Sequence, residues 1–302
     1  IAQLIKRTLA FENAARLSLM NGQMRIEPEG VDAQAVQVPV EDIGVVVIES
    51  ARVTLTHALL QALMDNNAVV ISCDGKHMPY GLMLPMFQHH AFTEKMYAQL
   101  ESSLPLRKNL WQQTVKAKIL NQAQLLERLG CDAQALRYLA SSVKSGDTGN
   151  QEGRAAAIYW KLLTGLPEFT RERDGEMPNP MFNYAYAILL ATVARSLVAS
   201  GLLPAVGIHH RNKYNPWCLA SDVMEPYRPM VDQLVLNTWK AFPEDEKLNT
   251  SIKRGLLQVP VIDVLIDGQR SPLMVAVQRT TASLSACFEG SARKVLYPEF
   301  VN

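Results

Sequence analysis

Ala15-Arg16-Leu17-Ser18-Leu19-Met20 runs into Asn21-Gly22 and continues as Gln23-Met24-Arg25-Ile26. Apolar and polar residues alternate on both sides, the two-residue period of a half-buried strand. Asn-Gly between two such runs is a strong hairpin signal, because both residues tolerate positive φ. The neighbouring sequence extends this β reading. Residues 36–40 and 43–48 predict two more strands, the second almost continuously apolar and therefore buried. Thr56 to Met64 has helical spacing, with Ala58, Leu59, Ala62 and Leu63 on one face and Asp65-Asn66-Asn67 at its end. Residues 68–73 read as a further buried strand, and residues 80–84 as one more before Pro85.

Beyond Phe87 the period changes to 3.6. Helices are predicted over residues 91–100, 110–129, 134–143, 151–163, 182–200 and 231–239, with polar breakers at 141–150 and 171–180. A short strand over 259–266 and a last helix over 272–288 follow. The expected fold is α+β: a small N-terminal β domain over residues 1–85, then a larger all-α domain over residues 86–302.

The composition limits the possible functions. With 302 residues and 48% hydrophobic content, the chain can bury a large core and is not a disordered solvating segment. Four scattered cysteines, Cys73, Cys131, Cys218 and Cys287, offer neither a Cys-x-x-Cys pair nor a disulfide framework. The first 11 residues lack the apolar core of a signal peptide. The greasiest stretch, Met181 to Ile208, is interrupted by Asn183 and Arg195 and broken by Gly201 and Pro204. Its uncharged run from Met181 to Ala194 falls short of the roughly 20 residues that span a bilayer. The expectation is a soluble, cytoplasmic protein with no membrane partner. A net charge of +1 argues against a uniformly basic nucleic-acid coat. That total conceals a division: residues 1–85 hold 6 Lys+Arg against 9 Asp+Glu, and the rest 24 against 20. The helical half is the more basic one, so DNA is not excluded as a partner.

Three places carry acids or imidazoles that could do chemistry. A Gly-rich run, Ser145 to Asn150, opens a helix with Glu152 in its first turn. Glu152 is either a first-turn acid favoured by the helix dipole or a carboxylate held at the mouth of a packed groove. Gly207-Ile208-His209-His210 offers adjacent imidazoles. Neighbours on any regular element point apart, so at most one of the two would serve a given metal. Asp222 and Glu225 are three residues apart, which on a helix is one face. They read either as a capping box, with Asp222 as the N-cap, or as paired acids that need a cation between them. Two carboxylates and an imidazole from separate segments make a mixed oxygen and nitrogen site suited to Mg²⁺ or Mn²⁺. Such a site can perform phosphodiester chemistry.

The ordered set of motifs resembles the CRISPR-associated integrase of the spacer-acquisition machinery, in its type II form. The stretches are Glu152-Gly153-x-x-Ala156-x-x-Tyr159-Trp160, Asn179-Pro180-x-x-Asn183-Tyr184-x-Tyr186, Gly207-x-x-His210, and Leu219-Ala220-x-Asp222-x-x-Glu225-Pro226-x-Arg228-Pro229-x-Val231-Asp232. The opening, Lys6-Arg7-Thr8-Leu9 and then Leu17-Ser18-Leu19 to Asn21-Gly22-Gln23, is similar too. The resemblance implies a metal triad of Glu152, His210 and Glu225, with Asp222 behind it and Arg228 and Asp232 holding the helix in place. It prefers His210 to His209, because the Gly-x-x-His spacing ends there. It further implies Mg²⁺ or Mn²⁺ as cofactor, a homodimer formed through the β domain, and a small ferredoxin-like partner protein. Its DNA partners are a double-stranded fragment and the CRISPR leader–repeat, and an RNA-guided effector nuclease is a further candidate partner. The implied reaction is transesterification: a fragment 3′-hydroxyl attacks the leader–repeat boundary. A stand-alone metal-dependent nuclease and a non-catalytic DNA-binding scaffold are the alternatives.

Overall fold

A computed structural model describes residues 6–30, 34–86, 89–165, 169–245 and 247–301. The chain divides into two compact units, residues 1–88 and 89–302.

The first unit contains β1 (Arg7–Phe11), β2 (Ala15–Met20), β3 (Gln23–Pro28), β4 (Val36–Pro39), β5 (Ile43–Ile48), β6 (Thr54–Leu55), α1 (His57–Asp65), β7 (Val69–Cys73) and β8 (Pro79–Met83). Asn21 and Gly22 both adopt positive φ, 51° and 73°, and join β2 to β3 as the sequence requires. Their register sets Leu17 opposite Ile26 and Leu19 opposite Met24. The hairpin belongs to a sheet of order β4-β3-β2-β6, and the second sheet runs β1-β5-β7-β8. One core serves both sheets: Leu17 and Met24 from the first meet Ile43, Val46 and Val70 from the second, with Leu59 and Leu63 of α1. Strand β1 was not anticipated, since Arg7-Thr8-Leu9-Ala10-Phe11 is short and pairs with β5, some 36 residues later. Parallel pairing of this kind leaves no local turn signal.

The second unit contains α2 (Phe92–Leu100), α3 (Leu104–Arg128), α4 (Gln134–Ser141), α5 (Gln151–Leu163), α6 (Asn179–Ala199), α7 (Cys218–Met224), α8 (Arg228–Ala241), α9 (Thr250–Leu256), β9 (Asp263–Ile266), β10 (Gln269–Pro272), α10 (Leu273–Phe288) and β11 (Glu299–Phe300). It is mostly helical, as expected, but not wholly so: β10-β9-β11 form a small sheet. Helix α6 is long and apolar enough to span a bilayer by composition, yet 83% of that window is buried inside the protein. It is a core helix that packs on α7, α8, α9 and α10. All four cysteines are free.

Helix α3 is the frame for the site. Ser103 caps it by accepting the Leu106 N–H, and Pro105 fits its first turn, so it begins earlier than its apolar period shows. It packs against α4, α5, α8 and the turn at Glu225–Tyr227. Its buried Asn121 donates one amide to two carbonyls, Pro226 O at 2.8 Å and Pro298 O at 2.9 Å.

Candidate active site

Glu152 is positioned by the turn before its helix. Asn150 adopts a left-handed conformation and caps α5 by accepting the Gly153 N–H. Asp147 accepts the N–H groups of Gln151 (2.9 Å) and Glu152 (3.0 Å). The first turn of α5 is thereby satisfied without the Glu152 side chain, which is left to face α3.

There it meets Lys118. The ammonium donates to Glu152 Oε1 at 2.7 Å. It also stands 2.6 Å from Glu225 Oε2, out of line for a directed hydrogen bond, so that oxygen has a charge partner but no aligned donor. Arg228 Nε lies 3.0 Å from the other oxygen of Glu225, and its guanidinium sits 4.5 Å from the centre of the Tyr186 ring. Burial by itself would raise the Glu225 carboxyl, but Arg228 and Lys118 outweigh it and hold the group below its ordinary value. Burial would likewise lower Lys118, and Glu225 and Glu152 keep it above the usual lysine value. A largely buried cation thus joins two carboxylates from different elements.

The third segment is the loop ending in His210. Asp222 does not cap a helix, as the capping-box reading had it; it lies within α7 and is fully buried. Its Oδ2 accepts the N–H groups of Ile208 (2.7 Å) and His209 (3.0 Å), and its Oδ1 accepts that of His210 (3.3 Å). Oδ1 also lies 2.5 Å from His210 Nδ1. A carboxylate only accepts, so Nδ1 carries a proton, and in the neutral ring Nε2 keeps its lone pair. The hydrogen bond to Asp222 raises the pKa of His210 against the lowering effect of burial, and Glu225 and Glu152 add to the rise. Gly207 is required for clearance: a Cβ there would lie 2.4 Å from the His210 carbonyl oxygen and 2.9 Å from Asp222 Oδ2. His209 stacks on Trp111 of α3, ring centres 4.2 Å apart and 3° from parallel, and the His210 ring meets the same Trp111 edge-on at 5.7 Å.

Behind the carboxylates, Asp232 of α8 accepts the hydroxyls of Tyr159 (2.6 Å) and Tyr186 (2.5 Å). Burial pushes Asp232 up to about 6. Its bonds tie α5, α6 and α8 together, so it holds the frame. A cavity of about 180 Å³ opens between Lys118, Arg171, Tyr186 and Arg228.

Glu152 and Glu225 are therefore brought together, through Lys118, while His210 lies within their electrostatic reach and touches Asp222 instead. Among the described residues, no group of three His, Cys, Asp or Glu side chains already surrounds one point as metal ligands. The donor chemistry nevertheless fits a divalent ion: two carboxylates converge on one positive charge, one buried oxygen has no aligned donor, and an imidazole is fixed with a free nitrogen. Lys118 was not foreseen, because a single lysine in a polar helix face carries no signal of partners 34 and 107 residues away.

A family model described as CRISPR associated protein Cas1 matches residues 9–245. The CRISPR-associated endonuclease Cas1 of Neisseria meningitidis serogroup C (strain 8013) is 38% identical over 298 residues, covering 98% of this chain and 96% of that one. Among solved structures, a casposase bound to its integration product superposes with a TM-score of 0.79 at 19% identity, covering 96% of this chain and 92% of that chain. A Cas6-RT-Cas1–Cas2 complex gives 0.74 at 18% identity, over 97% of this chain and 36% of that chain. With the matched region spanning both units and the Neisseria protein aligned almost end to end, this chain belongs to the CRISPR-associated Cas1 family.

Proposed function

We propose that this chain inserts captured foreign DNA fragments into a CRISPR array by 3′-hydroxyl transesterification at the leader–repeat boundary. The observation that carries the reading is the convergence of Glu152 and Glu225 on one cation, Lys118, beside an imidazole held by Asp222. Glu152, His210 and Glu225 would hold Mg²⁺ or Mn²⁺. The chemistry such an ion supplies is polarisation of the phosphate and a lower pKa for the attacking hydroxyl. Asp222 keeps His210 in one tautomer, with Nε2 available. Lys118 and Arg228 add positive charge against the phosphate. A bond forms from the fragment 3′-oxygen to phosphorus, the target strand's own 3′-oxygen leaves, and the attacking hydroxyl's proton passes to solvent.

The protein would act in the cytoplasm as a homodimer formed through its β unit, with the helical unit carrying the chemistry. Tyr80 and Met83 on the edge strand β8 are exposed (86% and 44%), which supports an interface there. A small ferredoxin-like protein would join two such dimers, with fragment and leader–repeat DNA as substrates and an RNA-guided effector nuclease as a further partner. The Cas1–Cas2 complex and the DNA-bound casposase among the similar structures support partners of these kinds.

The test is incubation with Mn²⁺ or Mg²⁺, a supercoiled plasmid carrying a repeat, and short duplexes with free 3′-hydroxyls. Joined products that vanish in Glu152→Ala are expected. Hydrolysis without joining would identify a stand-alone nuclease, and binding without either a scaffold.

A further inference from the structure

We propose that Lys118 is a displaceable counter-ion: its ammonium stands where Glu152 and Glu225 would share a metal, and DNA phosphate draws it away so that metal and substrate load together. The proposal rests on the metal reading above and adds a residue to it. One nitrogen lies 2.7 Å from Glu152 Oε1 and 2.6 Å from Glu225 Oε2, so the ammonium and a bridging metal exclude each other. Like charges that close repel strongly in a buried site.

The surroundings allow the lysine to leave. Its side chain is 12% exposed and ends beside the cavity it shares with Arg171 and Arg228, which gives the head group room to turn while α3 stays fixed. The departure does not strip Glu225 of its counter-charge, because Arg228 keeps Oε1 at 3.0 Å. The oxygen released is Oε2, which lacks an aligned donor now. Lysine is suited to this exchange, being a point charge on a flexible stem with no fork to hold a carboxylate by two bonds. A phosphate that takes the ammonium makes room for the metal, and by linkage a bound metal frees the ammonium for phosphate.

The experiment measures Mn²⁺ affinity by electron paramagnetic resonance of the free ion, with and without a short duplex ending in 3′-deoxy nucleotides. Wild type should bind Mn²⁺ about tenfold more tightly with the duplex than without it. Lys118→Met should bind it about tenfold more tightly than wild type without DNA, and the duplex should add little. Lys118→Arg, which retains the charge and grips carboxylates by a fork, should bind Mn²⁺ more weakly than wild type. That opposite shift keeps the test decisive should Lys118→Met fail to fold. Wild-type binding that is lost in Glu225→Gln but unchanged or weakened in folded Lys118→Met overturns the role of Lys118 alone. No Mn²⁺ binding by wild type or any variant overturns the metal reading as well.

Discussion

Asp222 holds His210 at two points: its Oδ1 lies 2.5 Å from the imidazole Nδ1 and 3.3 Å from the same residue's backbone nitrogen. One buried carboxylate thus sets both the ring and the loop that carries it. Asp222→Asn would place an amide donor against these donors and cost about 2–4 kcal/mol of stability. It should also return the pKa of His210 toward 6.5, since the bond to Asp222 is the main cause of the rise. The raised value contributes stability below the unfolded pKa and loses it as pH climbs through the folded one. NMR titration of the His210 ring in both proteins checks this; a pKa still raised in the variant would refute it.

His209 and His210 should respond differently to truncation. His209→Ala loses a stack on Trp111 and should cost about 1 kcal/mol while leaving much of the strand joining intact. His210→Ala should abolish joining. The reverse pattern in a plasmid integration assay would sink the assignment.

Glu225 should matter more to folding than Glu152, although both should be needed for activity. Glu225→Gln leaves Lys118 and Arg228 short of a buried counter-charge and should destabilise by about 3 kcal/mol. Glu152→Ala removes a more exposed partner and should cost about 1 kcal/mol. Because the folded pKa of Glu225 is lowered, its contribution is present above about 4.5 and fades as pH falls through the folded value. Denaturant melts at pH 7 and pH 4 should show the Glu225→Gln penalty shrinking in acid.

Asp232 should have the opposite pH dependence. Its folded pKa, raised by burial to about 6 from 3.8, means that the folded state binds the proton more tightly. This group's contribution to stability therefore falls by about 2–3 kcal/mol as pH rises from 4 to 6, and is flat above. The difference in unfolding free energy between wild type and Asp232→Asn, measured across that range, should carry this slope.

The parts of the molecule legible in the sequence are those written locally. Asn21-Gly22 dictates positive φ at two adjacent positions, and the β2–β3 register follows from it. Helix α5 was readable because Asn150 and the apolar period that follows mark both its ends. The convergence of Glu152 with Glu225 was expected from the resemblance, but not the lysine on α3 that joins them here, which is distant in sequence from both. Of the two local readings of Asp222, the cap fails for the same reason. Asp-x-x-Glu looks like a cap, but the N–H groups that Asp222 accepts lie 12 to 14 residues earlier. Helix α7, only seven residues long and almost wholly buried, shows too little polar face for a period to appear.

Asn121 sits one turn beyond Lys118, and its amide fastens the peptide after Glu225 to the carbonyl of Pro298. A ribosome delivers Pro298 long after the acids and the imidazole. The backbone next to Glu225 therefore acquires its second anchor only after α8, α9 and α10 have been made. On the proposed function, an unfinished chain that could already cut or join the genome of its host would be a hazard. Late delivery of this anchor would delay the activity until the segment after α10 is in place.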